Sequence, residues 1–207
     1  MTTIQTVTGP IDVSELGKTL IHEHTLIGFP GWFLDNRQPK FDRDEALARA
    51  IGAFEELKDH GVDTVVDPCP SDLGRDVEFN ALVSQKTGIN LVAATGVYYE
   101  AAGLTYTLGH MEQAEITDVF IREIEDGVGD SGIKPGIVKI ATGDGFVSDY
   151  ERKVVAAAAA AAKATGIPVL SHTENCSCGH DQIDIVTGQG VAHDHLLVGH
   201  SDGTNDM

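Results

Sequence analysis

Short β-branched runs alternate with longer stretches rich in Ala, Glu, Leu and Lys along almost the whole chain, which leaves few folds open to it. The expected strands are Thr19–His24, Thr64–Pro68, Asn90–Gly96, Ile137–Thr142, Pro168–Thr173 and Leu196–Ser201. Between them, Asp44–His60, Asp76–Thr87, Thr117–Gly127, Ser148–Thr165 and Asp181–Gly190 read as helices, with Asp or Ser at several starts and Gly near several ends. Strand and helix in strict alternation call for a parallel sheet covered by helices, either an open doubly wound sheet or a closed barrel. No G-x-G-x-x-G follows a strand and no G-x-x-x-x-G-K-[ST] occurs, so the usual nucleotide-binding reasons for an open sheet are missing. Alternation over residues 4–13, around Gly9-Pro10, predicts a small hairpin that caps one end. The seven alanines Ala156–Ala162 fit a helix packed close against a sheet. No repeat or linker interrupts the chain, so residues 1–207 read as one domain.

Charge narrows the partners. The net charge of −18, with a pI near 4.6, repels phosphate backbones and anionic membrane surfaces, which argues against nucleic-acid or membrane binding. The same excess would also serve solubility in a salt-rich cytoplasm. Three cysteines, Cys69, Cys176 and Cys178, are too few and oddly numbered for a disulfide framework, and residues 1–10 lack a basic segment followed by an apolar one. No run of about 18 apolar residues occurs. A cytoplasmic location is expected.

The chemistry gathers at strand ends. His22 and His24 flank Glu23 at the end of the first main strand, where alternation turns both imidazoles to one face and lets them grip one metal ion. Lys139 lies within the apolar run Ile137-Val138-Lys139-Ile140-Ala141, where an unpaired ammonium carries a heavy desolvation cost. His172 and His200 close two further apolar strands. Each residue alone also reads as an ordinary hydrogen-bonded polar group. Together, on four strands whose ends converge on one face of a barrel, they point to a metal site.

The segments GKTLIHEHTL (17–26), GVDTVVDP (61–68), LGRDV (73–77), ATGVY (94–98), GIVKIAT (136–142), His172-Thr173 and GHSDGTND (199–206) resemble the phosphotriesterase family of the amidohydrolase superfamily, in that family's order and spacing. The resemblance spans nearly the whole chain. It implies a (β/α)8 TIM-type barrel and two divalent ions, usually zinc, with manganese, cobalt or iron also suited to such ligands. By motif, His22, His24 and a carboxylated Lys139 would hold the more buried ion, and Lys139, His172 and His200 the more exposed one. Carbon dioxide would turn the lysine into an anionic carbamate, and a hydroxide bridging the metals would be the nucleophile. Tyr98 stands in ATGVY where phosphotriesterases proper carry Trp and the lactonase-like branch carries Tyr, which implies lactone hydrolysis, with phosphotriester hydrolysis as the alternative. A homodimer is implied by the resemblance alone.

Asp67, Asp72, Arg75 and Asp76 form a second polar cluster, read as structural: Asp76 starts a helix and Arg75 pairs with an acid. Cys176-x-Cys178-x-His180 has no second half and reads as a loop. His60, His110, His193 and His195 gain no role from spacing. The family's further metal ligand, an aspartate ending the eighth strand, has no counterpart here, since Asp202 and Asp206 match the segment after the sixth. At roughly 31 residues per unit of a 250-residue barrel, the chain has room for about six units, so a C-terminally shortened barrel is expected. Two further readings follow: a non-catalytic homologue that keeps part of the metal site, and a cyclic-amide hydrolase or deaminase of the superfamily, which ATGVY and LGRDV do not support.

Overall fold

The computed structural model describes residues 2–203 and is an α/β fold whose main element is a curled, six-stranded parallel sheet, six strands of a TIM-type barrel. A hairpin of β1 (Thr3–Thr6) and β2 (Gly9–Asp12) precedes it. The sheet strands are β3 (Thr19–Leu20), β4 (Thr64–Asp67), β5 (Asn90–Gly96), β6 (Ile137–Thr142), β7 (Val169–Thr173) and β8 (Leu196–Leu197), paired in chain order. The helices are α1 (Arg43–Asp59), α2 (Val77–Thr87), α3 (Tyr106–Gly109), α4 (Gln113–Asp126), α5 (Asp149–Thr165) and α6 (Gly179–Gly188). Among the described residues no helix is long and apolar enough to cross a membrane.

Strand alternation sorts side chains into two layers. Val65, Leu91 and Ala93 on one pair of strands, and Val138, Ile140 and Val169 on the next, pack outward against the helices. Val66, Val92, Ala94, Ile137 and Leu170 turn inward, and Ile4 of the hairpin seats against them. With Val7 donating its N–H to the Leu91 carbonyl at 2.8 Å, the hairpin closes the end of the sheet where the strands begin. The opposite end is left to the polar residues. The turn itself falls at Val7-Thr8, because Gly9 pairs with Thr6 and so belongs to the second strand.

The alanine run packs as expected: Ala157, Ala158, Ala159 and Ala161 are fully buried in α5, between the sheet and its neighbouring helices. Ser148 caps this helix, accepting from the Glu151 N–H at 3.1 Å while Glu151 accepts from the Ser148 N–H at 3.1 Å. Glu151 also receives the N–H groups of Gly143 and Glu100, at 3.0 and 3.1 Å, and so ties the loops after β5 and β6 to one helix start. Arg75 makes a two-pronged contact with Glu123 at 2.7 Å on each prong and reaches the Ala94 carbonyl, while Asp76 caps α2 through the Phe79 N–H. Both act structurally, as their positions suggested.

The edge strands are shorter than their hydrophobic patterns. β3 stops at Leu20 and β8 at Leu197, short of His24 and Ser201, because each has a ladder on one side only among the described residues. One bond from the Glu23 N–H to the Val66 carbonyl, at 3.2 Å, still holds the His22 segment alongside β4. α4 begins four residues before Thr117, where Glu112 and Glu115 make a capping box, and α3 carries no strong sequence signal. Asp206 lies outside the described residues.

Gly96 ends β5 in the left-handed region, φ 116°, opposite Lys139 in the register. A Cβ there would sit 2.0 Å from the Lys139 carbonyl oxygen. Gly96→Ala is expected to cost about 3 kcal/mol or more, combining backbone strain with a clash against backbone that has no room to yield. A urea unfolding midpoint close to that of the unsubstituted chain would contradict this.

Candidate metal centre

The inward face of β6 carries Lys139, with its side chain 1% exposed. No carboxylate bonds it among the described residues. Its Nζ lies 2.8 Å from His22 Nε2 and 3.4 Å from the Ser171 carbonyl oxygen. Burial lowers its pKa to about 7, against a smaller opposing pull from Cys69 and Asp67, so the amine is neutral in much of the population near neutral pH. Only as a neutral amine can it attack carbon dioxide.

Among the histidines of the described residues His22 is the one bonded to it, and the other rings follow from His22 in a chain. The His22 ring lies 4.6 Å from that of His200, and His200 lies 4.5 Å from His172, while His24 stands 5.9 Å from His22. Gly199 makes the approach feasible, since a Cβ on it would meet the Ser171 carbonyl at 2.4 Å and the His22 ring at 3.0 Å. His200 adopts φ 57°, a left-handed turn just past β8 that few side chains accept. Burial first, then Lys139 and the other imidazoles, pushes His22 down to about 3. Burial likewise takes His172 to about 4, opposed by Glu174. Both are neutral at physiological pH and hold free lone pairs.

Tyr98 stands directly over His172, with its hydroxyl 3.1 Å from Nε2 and the ring centroids 4.8 Å apart. Its backbone N–H donates to both oxygens of Asp72, at 2.9 and 3.0 Å, which fixes the residue at the end of β5. Burial raises the phenol well above its ordinary range, so it stays a neutral hydrogen-bond donor. Glu174, which carried no sequence signal beyond following a strand, contacts His172 Nε2 at 2.9 Å. His172, Glu174, Cys176, His200 and Asp202 line an open cleft of about 300 Å³.

Among the described residues, one group of three metal-capable side chains has donor atoms within 4.8 Å of one another: His24, Asp67 and Cys69. By the same measure neither Cys176, Cys178 and His180 nor any three of His22, His24, His172 and His200 are gathered among the described residues. Asn175, Cys176 and Cys178 take positive φ in the turn after β7, as a tight loop requires. His60, His110, His193 and His195 lie outside the cluster, on α1's end, the α3 end and the turn before β8.

The donor set suits divalent ions. Neutral imidazoles, a buried amine able to become a carbamate, and an orphaned His24 Nδ1 that is sealed from solvent without a hydrogen-bond partner are hard to explain as ordinary packing.

A family model for the phosphotriesterase family matches residues 2–207. A phosphotriesterase homology protein of Mycobacterium tuberculosis is 36% identical over 214 aligned residues, covering 100% of this chain and 66% of that protein. An aryldialkylphosphatase of Saccharolobus solfataricus is 35% identical, covering 95% and 62%. The crystal structure of a mutant PTE-like lactonase from Deinococcus radiodurans superposes with a TM-score of 0.94 at 34% identity, covering 99% of this chain and 65% of that one. The chain thus spans about two thirds of the length of the relatives it matches.

The metal-free chain should become more stable as pH rises from about 7, because the unfolded lysine, with its ordinary pKa near 10.4, then holds more protons than the folded one. In Lys139→Met this contribution disappears, and near pH 6 the variant should equal or exceed the parent by about 1 kcal/mol or more, a buried charge having been replaced by an apolar chain of similar volume. Urea unfolding of both proteins across pH 6–9 measures the difference; parallel curves would contradict it.

Proposed function

The chain belongs to the phosphotriesterase family, and from that premise we propose that it is a metal-dependent hydrolase acting on lactones, with His22, His24, Lys139, His172 and His200 holding two divalent ions, zinc or a similar metal. The observation that carries this reading is Lys139, a buried amine with its pKa lowered to about 7 and bonded to His22, from which His200 and His172 follow in a chain of imidazoles. The bound ions would supply a Lewis acid for the attacked oxygen and a water of lowered pKa.

The protein's own residues do the rest. Addition of carbon dioxide to the neutral Lys139 amine would form an N–C bond at the expense of one C=O π bond and release one proton, so that a group whose protonated form is a costly buried cation becomes an anionic ligand. His22 and His172, kept neutral by burial, offer lone pairs with no proton to lose first. Tyr98 keeps its hydroxyl proton and can donate it as a hydrogen bond to an acyl oxygen entering the cleft beside His172. The excess negative charge disfavours nucleic acid and favours small neutral esters. Residues 1–207 are read as a single domain, cytoplasmic, with a homodimer as the assembly the family resemblance implies.

A phosphotriester substrate is the second reading, favoured by the likeness to the aryldialkylphosphatase. Tyr98 supports the lactone over it. The 207-residue chain loaded with zinc or cobalt should hydrolyse lactones faster than paraoxon, a chelator should abolish both activities, and restored metal should recover them. Lys139→Ala should lower lactone turnover by at least about tenfold to a hundredfold, the range seen when support of a metal centre is lost. Activity of the loaded chain no higher than that of Lys139→Ala would refute hydrolysis by this chain.

A further inference from the structure

We propose that Asp67 is a positioning residue for the metal centre: it accepts the Nδ1–H of His24, fixes that ring's tautomer and leaves Nε2 as the atom with the free lone pair. This rests on the reading of His24 as a metal ligand, but it concerns a proton whose place is decided before any metal arrives.

Asp67 ends β4 and is 1% exposed. Its carboxylate is held from three sides. Oδ2 accepts from the Thr25 N–H at 3.2 Å and from Asn80 Nδ2 of α2 at 2.9 Å, and Oδ1 accepts from the Cys69 N–H at 2.9 Å. Those donors come from the His24 loop, the loop after β4 and a helix, so the group is locked against the frame of the barrel. Oδ1 keeps one lone-pair direction unused, and His24 Nδ1 lies 3.6 Å from it. That nitrogen is sealed from solvent and has no other partner. At 3.6 Å the contact is longer than a hydrogen bond, and it needs to close to about 3 Å, a tightening common when a site takes up its ligand. Metal-binding histidines generally give their second N–H to a carboxylate or carbonyl, which raises the basicity of the ligating nitrogen.

Cys69 belongs to the same group but in a different role. Its backbone N–H serves Asp67, and its thiol donates to the Leu73 carbonyl, with Sγ to O at 3.2 Å. Asp67 has three donors in place, two on Oδ2 and one on Oδ1, and the one lone-pair direction left on Oδ1 is faced by the His24 ring. The three side chains are therefore read as a support behind His24 rather than as a separate ligand set.

Asp67→Asn makes a sharp test because of this donor count. The amide oxygen should take the Oδ2 position, where two donors point, and its NH2 then faces His24, at the cost of the acceptor that the Cys69 N–H has in the unsubstituted chain. Nδ1 must become an acceptor, and the proton moves to Nε2. Long-range proton–nitrogen NMR of the metal-free 207-residue chain, with the His24 signals assigned from a His24→Gln variant, reads the tautomer directly. The expected result is Nδ1–H in the unsubstituted chain and Nε2–H in D67N, with zinc affinity of D67N lower by roughly tenfold to a hundredfold. Nε2–H in the unsubstituted chain overturns the proposal whether or not D67N folds, as does Nδ1–H persisting in a folded D67N. A thiolate-to-cobalt absorption band that Cys69→Ala removes also overturns it, by making the group a ligand set. If Nδ1–H is found but zinc does not bind, the metal-centre reading fails and the role of Asp67 stands.

Discussion

A lysine amine sealed inside a protein without a bonded carboxylate is costly, and the end of this barrel is arranged around that cost. Lys139 sits on the inward face of β6, where strand parity leaves it nowhere else to go, and its partners are an imidazole nitrogen and a carbonyl oxygen. Neither partner neutralises a positive charge. The amine therefore loses its proton more readily than a lysine in water, and the same burial keeps His22 and His172 neutral. Neutral imidazole nitrogens beside a buried amine form a donor set that suits a divalent cation.

The rest of the fold serves to hold these groups in place. The hairpin fills the opposite end through Ile4, so the inward strand faces are apolar at one end and polar at the other. Gly96 and Gly199 permit approaches that any side chain would block. Glu151 binds the loops after β5 and β6 to the start of α5, and Asp72 grips the Tyr98 backbone. Behind the imidazoles, three donors fix the Asp67 carboxylate 3.6 Å from His24 Nδ1. The polar residues at this end of the barrel are thus supported by hydrogen bonds in which acidic side chains accept from backbone N–H groups.

That use of acids bears on the net charge of −18. Asp67, Asp72, Asp76, Glu123 and Glu151, all buried or half-buried, direct their negative charge to N–H groups or to Arg75 and Arg43, so the charge is not only a surface property. Glu123 is held below the usual carboxylate range by Arg75 and Thr95 although burial opposes it, whereas burial leaves Asp72 above that range. The difference follows from their donors: a guanidinium for Glu123, backbone amides for Asp72.

Hydrophobic periodicity in the sequence was enough to place six strands and five of the helices, and a charged residue in an apolar strand was enough to single out Lys139. His22, His172 and His200 could be found because each stands at the end of a recognisable apolar run, whereas Tyr98 stood out only through the family resemblance. The ends of β3 and β8 were not legible, because an edge strand stops where its ladder stops, and pattern alone does not show which strands lie at an edge. Glu174 and the Asp67 support were illegible too. An aspartate after a strand looks the same whether it caps a turn or faces a histidine 43 positions earlier, and only the three donors that converge on it and the orphaned nitrogen beside it decide the matter. The sequence determined which side chains reach the polar end of the barrel, since that follows from strand parity. Tertiary structure decided their distances, their exposure and hence their protonation, since those depend on neighbours brought together from distant parts of the chain.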